Sequence, residues 1–172
     1  MNTFYSFTVS PPMIAAALNI PLKKVRRLFK DGRVVAGFCE LWAETICGVR
    51  KHKRGNGVFS DCYALMPDEE PIEVAVRTLT PQGIKFQDSR YIGTGRTCDV
   101  PRLKASIRRF DSWIVFDICN FPRIAVYKLK GRTLEEWIDS GDLRPTGLKP
   151  QRFIDLLRSE DGPKWRPLDL AL

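Results

Sequence analysis

The chain has a single histidine, His52, so a catalytic or metal-binding group that needs two or more imidazoles is excluded. No apolar run approaches the roughly 20 residues of a membrane-spanning helix. No basic stretch followed by an apolar one opens the chain, so a secretory signal peptide is not expected. The five cysteines, Cys39, Cys47, Cys62, Cys98 and Cys119, are odd in number and form no Cys-x-x-Cys pair or Cys/His zinc spacing. That pattern predicts reduced thiols in a cytoplasmic protein rather than a disulfide framework. Gly93-Thr94-Gly95 lacks the third glycine and the strand–helix setting of a dinucleotide fingerprint, which excludes that use. Internal repeats and low-complexity segments are absent too.

What is present is positive charge and apolar mass. Lysine and arginine number 28 against 20 acidic residues, a net charge of +8, while 44% of the residues are hydrophobic. At 172 residues this suits one domain, or a compact domain with an appendage. The cationic surplus points to a polyanion, most economically nucleic acid. A soluble basic protein without such a partner is the plain alternative.

Residues 11–30 carry one sharp pattern. Ile14, Leu18, Ile20, Val25 and Leu28 fall at the buried positions of a helix-turn-helix, with small Ala15 at the crossing. Asn19 occupies the tight turn, where tolerance of positive φ is wanted, and Pro21 suits the start of the second helix. That helix would expose Lys23, Lys24, Arg26, Arg27 and Lys30 to DNA. The segment resembles the helix-turn-helix of many bacterial regulators. Two core helices with a solvated basic face would look the same.

A helix over Arg33–Cys47 follows, with Val34, Val35, Phe38, Leu41, Trp42 and Ile46 as its apolar stripe. Glu40 lies nearly opposite the stripe, and Glu44 on its border. Residues 48–57 read as a glycine-rich basic loop in which Lys51, His52, Lys53 and Arg54 are candidate phosphate contacts. Arg90 and Arg96 sit in a second glycine-containing loop and are candidates of the same kind.

The densest chemistry lies in residues 60–80. Two strands, 60–66 and 72–78, are joined by a Pro/Asp/Glu turn. A three-residue turn sets Tyr63 opposite Glu73 and Asp61 opposite Ala75, which makes Asp61 and Glu73 diagonal neighbours about 7–8 Å apart. Two carboxylates that close repel unless a cation lies between them, and Mg²⁺ with its oxygen ligands would serve. A short strand at 84–87, a helix at 101–110, buried strands at 113–119 and 124–129, a helix opened by a Thr133–Glu136 capping box, and a helix at 150–158 complete the reading. The last residues read as a tail.

Aspartate on one strand and Glu-x-Lys on the next resembles the PD-(D/E)xK nucleases, among them restriction endonucleases and junction resolvases. Ser60-Asp61 stands for Pro-Asp, and Glu73-Val74-Ala75 for Glu-x-Lys. The resemblance covers roughly residues 33–130. It implies an α/β fold with an αβββαβ core and mixed sheet over 33–148, preceded by a helix-turn-helix-like segment over 1–32 and followed by a C-terminal helix and tail over 149–172. It also implies a prokaryotic or phage-encoded, Mg²⁺-dependent endonuclease (Mn²⁺ as substitute), acting on double-stranded DNA as a homodimer. Asp61, Glu73 and the carbonyl of Val74 would hold the metal, with Glu44 as an added acid. Position 75 departs from the pattern. With alanine there, the chain is expected to bind DNA and cut it little, whether the lysine was removed by design or by natural decay. A DNA-binding regulator without catalysis, and a structure-selective nuclease, are the alternatives.

Overall fold

A computed structural model describes residues 3–51, 62–64, 72–88, 91 and 97–159. In chain order the elements are β1 (Thr3–Thr8), α1 (Pro11–Ala17), α2 (Leu22–Leu28), α3 (Gly32–Cys47), β2 (Val49–Lys51) and β3 (Cys62–Ala64). Then come β4 (Ile72–Leu79), α4 (Val100–Ile107), β5 (Ser112–Asp117), β6 (Arg123–Lys130), α5 (Gly131–Asp139) and α6 (Pro150–Ser159). The strands form one sheet in the order β1-β6-β5-β4-β3-β2. β4 and β5 are parallel, and every other neighbouring pair is antiparallel. Parallel neighbours need a long crossover, and the chain between Leu79 and Ser112, with α4 in it, supplies one.

Alternation along the central strands divides the core in two. Val74, Val76, Ile114, Phe116, Ile124 and Val126 pack with Ala15, Val25, Phe29 and the α3 residues Val35, Cys39 and Ala43. Ala75, Leu79, Trp113, Val115, Tyr127 and Leu129 pack on the other face with Leu103, Ile107, Trp137 and Phe153. The first three helices therefore cover one face, and α4–α6 cover the other. β5 is buried along its whole length, which is why SWIVFD carries almost no polar alternation.

Helix ends follow local chemistry. The Asp31 carboxylate accepts the Arg33 N–H at 3.0 Å to start α3, and Gly48 ends it at φ 68°. Asp99 caps α4 through the Arg102 N–H at 2.8 Å. Asn19 adopts φ 50° in the α1–α2 turn, as its place in the sequence predicts.

Several expectations are revised. The strand order before α4 does read α-β-β-β, but its first strand is Val49–Lys51, inside the stretch read as a loop, and Ile84 makes only an isolated bridge with Leu148. Residues 3–32 are not purely helical: β1 pairs with β6 and forms a sheet edge. Nor does α6 stand apart from the sheet. It buries Phe153, Leu156 and Leu157 in the main core, with the Phe153 ring 5.6 Å from Tyr127 and 6.0 Å from Trp137. α5 begins at Gly131, so Thr133 lies inside the helix and its hydroxyl caps nothing there. Pro21 precedes α2 as its cap residue, and Leu18 is exposed rather than buried. α3 turns a different face inward: Val35, Cys39 and Ala43 are buried, whereas Val34, Phe38 and Leu41 are exposed. The last segment, 160–172, lies outside the described residues.

Candidate functional site

β4 organises the acidic side of the molecule. Tyr63 pairs with Glu73 and Cys62 with Val74, the register that the turn length predicts. Asp61 itself lies outside the described residues. On the other side of β4, Val74 pairs with Ser112 and Ala75 with Trp113, so one step back Asp111 stands beside Glu73. The Glu73 N–H donates to the Asp111 carboxylate at 3.2 Å, and the Asp111 N–H donates to the Glu73 carbonyl at 3.0 Å. Two carboxylate residues thus share one end of the parallel pair. Sequence reasoning missed Asp111 because its partner is 38 residues away and reached only through a crossover. The one local signal is an acidic residue immediately before a buried strand.

Alternation places Glu73, Ala75 and Arg77 on the same face, towards α4–α6. Arg77 is half-buried, its guanidinium carbon 5.1 Å from the centre of the Trp113 ring, and its Nη1 donates to the Val76 carbonyl at 2.7 Å. That is a fixed cation two residues beyond Ala75. Ala75 is wholly buried in the core with Leu79 and Trp113. A lysine ammonium at such a place would be withdrawn from water.

Val74 faces the opposite side and has strands on both flanks, so its carbonyl belongs among the ladder groups. Glu44 is half-buried on α3, which covers that same opposite face. α3 thus lies across the sheet from the Ala75 face. Among the described residues no group of three or more His, Cys, Asp or Glu side chains is placed to hold a metal ion. Glu73 and Asp111 offer hard oxygen donors, the kind that Mg²⁺ takes.

Lys23, Lys24, Arg26, Arg27 and Lys30 are all exposed around α2, while Val25 and Phe29 anchor it to the core. This basic surface belongs to the layer that holds α3, on the far side of the sheet from Ala75. Lys51 ends β2; His52, Lys53, Arg54, Arg90 and Arg96 lie outside the described residues.

None of the thiols among the described side chains is activated. Burial pushes Cys39 up to about 12 and Cys47 up to about 11, and burial with the neighbouring Asp117 takes Cys119 to about 12. All four cysteines whose side chains are described are free, in keeping with reduced thiols. At the far end of β5 a cavity of about 320 Å³ is lined by Asp117, Asn120, Arg123, Ala125 and Tyr127, a feature without a local sequence signal. Burial, reinforced by Asp117, pushes the Tyr127 phenol up to about 12. No helix among the described residues is long and apolar enough to cross a membrane.

No family model, no curated protein and no solved structure matches the chain.

Proposed function

We propose that the protein is a Mg²⁺-dependent DNA endonuclease of restriction type, with its acidic centre at Asp61, Glu73 and Asp111. The observation that carries this reading is the position of Glu73, flanked on one side by Asp111 immediately before β5 and paired on the other with Tyr63 of β3, two residues after Asp61 in the sequence. The order α3-β2-β3-β4-α4-β5 with a mixed sheet supports it as well. Bound Mg²⁺ would supply an acidified water and charge stabilisation at the leaving oxygen. Glu73, Asp111 and Asp61 hold and orient that centre. Arg77, on the same face as Glu73, offers the positive charge that the lysine of the family motif would provide, so the alanine at position 75 does not by itself make the chain inactive.

The test is cleavage of supercoiled plasmid by the full chain with Mg²⁺ or Mn²⁺. Nicked or linear product is expected, lost in Glu73→Gln and Asp61→Asn and reduced in Arg77→Ala, with Arg77→Lys retaining more. Better cutting of branched than of linear duplexes would move the assignment to a structure-selective nuclease.

A second reading rests on the exposed cations of α2, which lie across the sheet from the Ala75 face. In that reading the protein is a helix-turn-helix regulator without catalysis. Tight duplex binding by folded protein, with no cleavage under either metal, would select it.

A further inference from the structure

α3 has more apolar surface than its own core uses. Val35, Cys39 and Ala43 face inward, while on the solvent side Val34 is 45% exposed, Phe38 36% and Leu41 55%. These three recur at helical spacing and form a stripe. Gly37 lies in the middle of it. A Cβ on Gly37 would meet nothing within 4 Å, so no contact inside the chain requires glycine there. Glycine in a helix interior is nevertheless destabilising relative to alanine. A bare backbone in the middle of an exposed apolar stripe is suited to close approach by another helix.

We infer that this surface is an interface with a second copy of the chain, α3 packing antiparallel on α3 about a two-fold axis that passes near Phe38. In an antiparallel two-fold pair, each margin of the stripe meets the same margin of its partner, reversed end to end. The register that seats Leu41 over the partner's Gly37 also sets Phe38 against the partner's Phe38. It carries Arg33, at one end of the charged margin, to the partner's Glu44 at the other end. One register meets all three conditions, the Leu41–Gly37 and Arg33–Glu44 contacts twice by symmetry and the Phe38 pair once, at the axis. Arg33 is 93% exposed, held at the N-terminus of α3 by Asp31, and its fork retains donors for a second carboxylate. Parallel packing would set Arg33 against itself. The glycine lets the axes come to about 8 Å, the short end of helix-packing distances. A foreign partner would have no need of each feature and its complement on the same helix. This interface stands on the surface of α3 alone and holds whether or not the acidic centre cuts DNA.

Sedimentation equilibrium of the full chain without DNA tests it. The wild-type chain is expected to be a dimer at high micromolar concentration. Gly37→Leu has open space in the monomer, so it should melt at the same temperature or higher while sedimenting as a single chain. Arg33→Glu should weaken association roughly tenfold, and Arg33→Glu with Glu44→Arg should restore it. A wild-type chain that stays monomeric, or a dimer indifferent to Gly37→Leu, overturns the inference. Loss in Arg33→Glu without recovery in the charge swap overturns the register.

Discussion

Glu73 and Asp111 hold each other through two reciprocal contacts: Asp111 receives the Glu73 N–H on its carboxylate and returns its own N–H to the Glu73 carbonyl. The arrangement closes the start of the parallel β4–β5 pair and aligns two acidic residues. Asp111→Asn keeps the shape and an acceptor but removes a charge. If Asp111 supports the metal centre, this variant should lower Mg²⁺ affinity or cleavage about 10–100-fold while the melting temperature changes little. Equal cleavage with lowered stability would make Asp111 a purely structural residue.

Ala75 offers a sharp contrast between sequence pattern and packing. Ala75→Lys restores the family motif on paper, yet it places a long cationic side chain in a wholly buried position beside Trp113. Overpacking alone is expected to cost about 1–3 kcal/mol, with ammonium desolvation adding to it. A denaturant midpoint should fall accordingly. Unchanged stability together with a gain in Mg²⁺-dependent cutting would restore position 75 to the active site.

On α2, Arg26→Ala and Arg27→Ala should each weaken duplex binding, by about 1–3 kcal/mol where a base edge is contacted. Where only phosphate is contacted, the loss should be uniform across sequences, and the salt dependence should drop by about one unit of slope. Fluorescence anisotropy over a salt series separates the two outcomes. No change in either variant would leave α2 as a structural helix.

The Tyr127 phenol gives a pH prediction. Its folded value is raised from the ordinary 10.0 to about 12, so the neutral phenol is favoured in the folded state. The corresponding stability is fully present below the ordinary value and is lost as pH rises through the folded one. Phenolate absorbance should show one tyrosine titrating late, together with loss of helical circular dichroism. A Tyr127→Phe variant should lack that late component.

Phe153 tests how firmly the C-terminal helix belongs to the core. Its ring meets Phe86, Tyr127 and Trp137 and is wholly buried. Phe153→Ala should cost about 3–5 kcal/mol and destabilise the whole chain cooperatively. A variant that lost only α6, with the sheet intact by hydrogen exchange, would return this helix to the status of an appendage.

Local rules in the sequence were enough for the helix over 33–47, the turn at Asn19 and the pairing of Tyr63 with Glu73. Capping, tolerance of positive φ and the length of a tight turn act over a few residues and leave direct marks. They were also enough for the exposed cations of α2, since alternation around a short helix with Val25 inward leaves those side chains no other place. The tertiary structure decided the rest. β1 joins β6, and Asp111 reaches Glu73, through pairings between residues far apart in the chain, which no local period encodes. Glu44 and Ala75 could be matched to a motif by spacing, but only the layering of helices on the sheet puts them on opposite faces and buries one of them. The stripe on α3 is apolar on two sides, so periodicity cannot say which side the sheet will take. Packing chose Val35, Cys39 and Ala43, whose small side chains let the helix sit close to β4, and left Val34, Phe38 and Leu41 to the solvent.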